Sequence, residues 1–97
     1  PAPAGETRDA QLVRATQPQY PSAAARRRDE GWVEVEFAVM PDGSIANARV
    51  VDSQPPRLFD RAAIDAVQRW TFKPALRDGQ PVQATLRRRI EFKMGGG

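Results

Sequence analysis

From Gly31 to Asp52 the chain alternates and then turns in a way that few folds can accommodate. Val33, Val35, Phe37 and Val39 alternate with Trp32, Glu34, Glu36 and Ala38, the period of two that gives a strand one apolar and one polar face. Pro41-Asp42-Gly43 follows with turn chemistry: proline presets φ, aspartate bonds its own backbone and glycine takes a left-handed conformation. A returning strand begins at Ser44. Its apolar positions are Ile45, then Ala48 and Val50, and this switch from odd to even predicts a bulge near Ala46–Asn47.

Ser53-Gln54-Pro55-Pro56 ends the hairpin. Beyond it Phe59, Ala62, Ala63, Ala66, Val67 and Trp70 fall at the spacing of one apolar helical stripe. The opposite face carries Arg61, Asp65, Gln68 and Arg69, most simply a solvated face, with Asp65 and Arg69 at the i,i+4 spacing of a helix ion pair. A shorter helix is predicted from Ser22 to about Asp29, with Pro21 at its first position and Gly31 closing it. Arg26, Arg27 and Arg28 fall in its last turn, where cations offset the helix dipole.

After Trp70 come Thr71 to Ala75, an Asp78-Gly79 turn, and Pro81 at the entry to a last strand running roughly from Val82 to Lys93. There Val82, Ala84, Leu86, Ile90, Phe92 and Met94 alternate with polar residues, and Arg88 alone breaks the pattern. A guanidinium on a core face is costly unless paired or able to reach water, which places Arg88 at a rim or beside a carboxylate. Three strands and two helices give an α+β fold, a two-layer sandwich of a three-stranded antiparallel sheet with both helices on one face. Such a sheet leaves two edges, and a free edge can accept a further strand.

The chain has 97 residues, room for one small domain. Residues 1–9 read as the end of a Pro-rich linker, 10–94 as the folded domain and 95–97 as a flexible glycine tail. No run of apolar residues approaches the length of a membrane-spanning helix.

Histidine and cysteine are both absent, which removes the usual general base, thiol chemistry and most zinc or iron–sulfur sites. The aspartates each have a local use in a turn, a strand end or a helix surface, so no acid–base pair is expected, and no calcium-type loop occurs. The chain is therefore read as a non-enzyme without cofactor or metal. Trp32, Trp70 and Phe72 are read as core or half-buried sheet cover, with Trp32 facing away from the valines.

Net charge is +3, and all but Lys73 and Lys93 of the 15 cationic side chains are arginine. The triplets Arg26–Arg28 and Arg87–Arg89 would suit phosphate binding if they formed a stripe. On a helix the first points in three directions, and on a strand the second alternates between faces, so nucleic acid is not expected as a partner. Gln17-Pro18-Gln19-Tyr20-Pro21 is an extended stretch entering a helix, with two amides and a phenol available to anything alongside.

Taken together, QPQYP at Gln17–Pro21, EGWVEVEF at Glu30–Phe37, PDG at Pro41–Gly43, the helix carrying Phe59, Ala66 and Trp70, WTFKPA at Trp70–Ala75 and the closing Phe92-Lys93 resemble the C-terminal domain of the TonB family. The resemblance implies a periplasmic domain tethered through a Pro-rich spacer, of which Pro1–Ala4 look like the remnant, to an inner-membrane helix absent from this chain. It implies binding of the TonB box of outer-membrane transporters for siderophores, haem or cobalamin, and force drawn from the proton gradient by ExbB and ExbD. By the same resemblance the box adds as a strand to Arg87, Arg88, Arg89, Ile90, Glu91, Phe92 and Lys93, with Gln17, Pro18, Gln19, Tyr20 and Pro21 close by.

Where Arg87 and Arg88 stand the family commonly has apolar β-branched residues, so a preference for an acidic or polar box segment is expected here. A periplasmic structural module contacting peptidoglycan, and more distantly a nucleic-acid module, are the other readings. An unpaired edge can also form a homodimer as readily as it binds a peptide.

Overall fold

The alternating segment becomes the central strand of the sheet. The structure is a computed structural model and describes residues 5–94; the expectations for Pro1–Ala4 and Gly95–Gly97 lie outside the described residues. In chain order the elements are β1 (Gln11–Arg14), α1 (Ser22–Arg27), β2 (Gly31–Val39), β3 (Ile45–Gln54), α2 (Asp60–Val67), β4 (Thr71–Lys73), β5 (Ala75–Arg77), β6 (Gln80–Val82) and β7 (Ala84–Phe92). The main sheet is antiparallel with strand order β3-β2-β7, and both helices lie against its apolar face, so the architecture is the α+β sandwich expected.

Val33, Val35, Phe37 and Val39 have no exposed surface. Phe59, Ala63 and Val67 from α2 and its entry, Ala24 from α1, and Ile90 and Phe92 from β7 complete one core with them. Each large apolar side chain so buried contributes about 1.5–3 kcal/mol. Trp70 and Phe72 close the far end, their rings 6.2 and 5.6 Å from that of Phe37.

The Asp42 carboxylate accepts hydrogen bonds from the Ser44 amide at 2.9 Å and the Ser44 hydroxyl at 2.6 Å, an Asx turn. Gly43 takes φ 89° and packs so closely on β4 that a Cβ there would lie 2.2 Å from the Phe72 carbonyl oxygen. The predicted bulge is present: Glu36 pairs with Arg49 but Ala38 with Ala46, and Asn47 takes φ 56°.

Several boundaries differ from those read in the sequence. Arg28, at φ 59°, closes α1 rather than Gly31; its amide and that of Asp29 bond the Ala25 and Ala24 carbonyls, a Schellman motif formed without glycine. Pro21 stands one residue outside α1, as its N-cap. Gly31 instead opens β2, where a Cβ would meet the Gln54 carbonyl oxygen at 2.0 Å.

Val82 belongs not to the last strand but to β6, which pairs with β5 around the Asp78-Gly79 turn. β1 pairs with β4 in a second two-stranded ribbon. Upstream of Ala10, Arg8 bridges to Leu76 and the Glu6 carbonyl accepts the Gly79 amide at 2.6 Å, so paired backbone extends into the stretch read as linker.

Candidate peptide-binding site

The two edges of the sheet are built differently. β7 pairs with β2 in unbroken register, from Gly31 opposite Phe92 to Val39 opposite Ala84, and among the described residues no strand pairs with its outer edge. β3, the other edge, is interrupted twice: the register jumps between Glu34 and Val35, leaving Val51 over, and again at Asn47. Bulges twist an edge and disrupt the row of backbone groups that a further strand needs. The edge suited to strand addition is therefore β7.

Its side chains divide by face. On the face away from the helices Arg87 donates to Glu36 at 3.1 Å, while the guanidinium carbon of Arg89 sits 4.0 Å above the Trp32 ring. That contact explains how Trp32 remains half-buried on the open face. Glu91 and Lys93 form an exposed ion pair at 3.2 Å, although Lys93 lies one residue past the end of β7.

On the helix side Ile90 and Phe92 are core residues, 6% and 2% exposed. Only their main chain is available to an added strand. Arg88 shares that side yet is exposed, reaching round to donate to the Arg87 carbonyl at 3.0 Å; it has gone to the rim and, among the described residues, pairs with no carboxylate.

The extended Gln17–Pro21 segment is fastened at both ends. Trp70 Nε1 donates to the Thr16 carbonyl at 3.0 Å, and the Tyr20 hydroxyl donates to the Asp29 carbonyl. The Tyr20 ring stands edge-on to Phe59 and Phe92 at 5.5 and 5.8 Å, and those two rings are stacked at 4.4 Å. Desolvation, then the nearby Glu30 and Asp29 charges, push the Tyr20 pKa up from its ordinary value, which keeps the phenol a donor.

Tyr20 is thus brought to the Phe92 end of β7. Gln17 and Gln19 are not laid along that strand; they are exposed on a groove of about 430 Å³ whose opposite wall is α2, with no β7 residue in its lining. No pattern in the sequence points to this groove, because it exists only once Thr16–Pro21 is laid across a helix some forty positions later.

Comparison with known proteins follows the same outline. The family model for the C-terminal region of Gram-negative bacterial TonB proteins matches residues 16–94. The chain belongs to the TonB family. Protein TonB of Escherichia coli is 41% identical over 80 residues, covering 82% of this chain and 31% of that protein. Protein TonB of Pseudomonas aeruginosa is 34% identical over 94 residues, covering 95% and 28%. The chain therefore spans about a third of the length of these TonB relatives.

Among solved structures, the solution structure of the P. aeruginosa TonB C-terminal domain superposes with a TM-score of 0.76 at 34% identity, over 92% of this chain and 90% of that one. The TonB2 protein of Vibrio anguillarum gives 0.65 at 33% identity, over 94% and 87%. The likeness thus extends to the fold of the TonB C-terminal domain.

Proposed function

We propose that the chain is the periplasmic, partner-binding domain of a TonB-type energy transducer, and that it takes the TonB box of outer-membrane transporters as an added strand on β7. The observation that carries this reading is the contrast between the unbroken edge of β7 and the twice-bulged edge of β3. Main-chain pairing uses groups that every peptide has, which lets one domain serve transporters for siderophores, haem or cobalamin. Hydrogen bonds loaded along a strand share shear, which suits a domain that pulls.

In the whole protein an inner-membrane anchor and the ExbB–ExbD complex supply the force. The domain itself carries no chemical step. The partner-binding set is Arg87 to Lys93, with the Phe92 end approached by Gln17–Pro21 through Tyr20. Arg87 and Arg89 are engaged by Glu36 and Trp32, so Arg88 is the arginine of the triplet left to meet an acidic residue of the box.

Titrating the ¹⁵N-labelled chain with a TonB-box peptide tests the reading. Amide shifts should concentrate on Thr85–Phe92 and spare Ile45–Gln54. Shifts confined to β3, or none at saturating peptide, would remove it.

A further inference from the structure

The groove between Thr16–Pro21 and α2 is walled by a charge row. Arg61, Asp65 and Arg69 line it at intervals of four residues, and Arg57 stands at one end. Among the described residues none of these three guanidiniums has a carboxylate within 4.0 Å, whereas Arg8, Arg27, Arg49 and Arg87 each do. Three arginines against one aspartate leave the groove cationic, but in the order plus, minus, plus along α2 and the turn that follows it. Arg57 holds φ 70°, a left-handed conformation unfavourable for a side chain with a Cβ.

Leu58, Ala62 and Ala66 also line the groove; the two alanines are small enough for a backbone to approach. The facing wall is preformed, since Trp70 and the Asp29 carbonyl hold Thr16 and Tyr20 in place, and this lowers the ordering cost of binding. Gln17 and Gln19 are exposed while Pro18 between them is half-buried. The two amides therefore recur at the two-residue period of an extended chain, and each carries both a donor and an acceptor.

We propose that this groove is a second peptide site, separate from β7, for an extended acidic segment in which two carboxylates four residues apart flank a cationic or amide side chain. The spacing follows from geometry. Arg61 lies on α2 and Arg69 two residues past its end, in a turn that carries the helix on, the Gln68 and Arg69 amides bonding the Ile64 and Ala66 carbonyls at 3.0 Å. At about 1.5 Å per residue the two arginines are about 12 Å apart, which an extended segment advancing about 3.3 Å per residue covers in roughly four residues. Residues i, i+2 and i+4 of that segment face the same way, so its carboxylates meet Arg61 and Arg69 while the residue between them meets Asp65. Gln17 and Gln19 take its main-chain groups from the other side. Asp65 disfavours a uniformly charged polyanion, and this selects a peptide over a sulfated or phosphorylated polymer.

The test titrates the ¹⁵N-labelled 97-residue chain with a blocked peptide Ser-Asp-Ala-Lys-Ala-Asp-Ser. Saturable shifts are expected at residues 57–69 and at the side-chain amides of Gln17 and Gln19, with β7 unmoved. The all-acidic Asp-Ala-Asp-Ala-Asp analogue should bind more weakly, and the charge-inverted Lys-Ala-Asp-Ala-Lys analogue should not bind. Arg61→Glu combined with Arg69→Glu, both solvent-exposed, should lower affinity about tenfold, the sum of a few exposed ion pairs. Asp65→Lys should reverse the ranking of the first two peptides.

Absence of saturable shifts, equal response to all three peptides, or tighter binding of the all-acidic peptide or of heparin would overturn the proposal. Shifts appearing on Thr85–Glu91 instead would do the same. The site stands apart from the reading of β7, so failure of one leaves the other intact.

Discussion

Glu36 lies on the face of the sheet away from the helices, where guanidiniums from both neighbouring strands converge on it. Arg49 on β3 donates at 2.6 and 3.0 Å and Arg87 on β7 at 3.1 Å, so one carboxylate joins all three strands. The hydrogen bonds from Arg49, then the one from Arg87, hold its pKa below the ordinary carboxylate value, against a smaller opposing effect of desolvation. A carboxyl whose pKa is lower folded than unfolded stabilises the fold above its unfolded pKa, about 4.3, and that stabilisation is lost as pH falls through the folded value. Glu36→Gln should therefore flatten the acid limb of the stability curve. Urea denaturation of both chains from pH 7 to pH 3 checks this: the difference in midpoint should shrink as pH falls below about 4.3, and a difference that stayed constant would deny Glu36 its role. Arg88 shows the other use of an arginine on this strand. Its break in the apolar alternation was legible in the sequence, which left it the rim or a carboxylate because burial of an unpaired guanidinium is too costly to be an option; the structure takes the rim. The closure of α1 by Arg28 was not legible, since side-chain chemistry gives no sign that a non-glycine residue will take a left-handed cap.

At the scale of elements, the role proposed for β7 requires an edge that takes a foreign strand without taking a second copy of itself. A two-fold antiparallel pairing of Ala84–Phe92 in full register centres on Arg88. It sets Arg88 opposite Arg88 of the second copy and Arg87 opposite Arg89 twice over. Like charges directly opposite are destabilising by roughly 0.2–1 kcal/mol per pair, so the triplet acts against self-association while leaving an acidic strand welcome. The chain is expected to sediment as a monomer at micromolar concentration, and replacement of Arg87, Arg88 and Arg89 by threonine should produce a concentration-dependent dimer, strengthened less by added salt than any residual dimer of the parent. A parent dimer with β7 amides at its interface would contradict this. The strands and helix that build this edge were the most legible elements, because β2 and most of β7 alternate without a gap and Phe59 to Trp70 hold a helical stripe. The β1–β4 and β5–β6 ribbons were not. All four residues of β1 are exposed, so no alternation marks it, and three-residue strands leave no period to read.

Across the whole molecule the pieces differ in how firmly they are held. The aromatic cluster of Tyr20, Phe59 and Phe92 ties the extended segment, the entry to α2 and the end of β7 into one unit, and Trp70 secures the same segment at Thr16. Upstream, β1 leaves Leu12 45% and Val13 60% exposed and offers the core only Ala10 just before it. Any load entering from the N-terminal side therefore meets a weak ribbon first and the aromatic cluster second. Removal of residues 1–14 uncovers part of β4 and of Leu76 but no aromatic of the cluster, and should cost about 1.5–3 kcal/mol, the burial of one large apolar side chain. At about 4–8 °C per kcal/mol for a domain of this size, the truncated chain should melt cooperatively roughly 6–24 °C lower and keep its β2–β7 amides protected from hydrogen exchange. Extending the deletion through Pro21 takes away Tyr20 and exposes the side of the Phe59–Phe92 stack that its ring covers, and no cooperative melting transition is then expected. Thermal unfolding of the two truncations separates the alternatives: if both lose cooperativity, the ribbon is part of the core unit; if both retain it, Tyr20 is not what binds the segment to the fold.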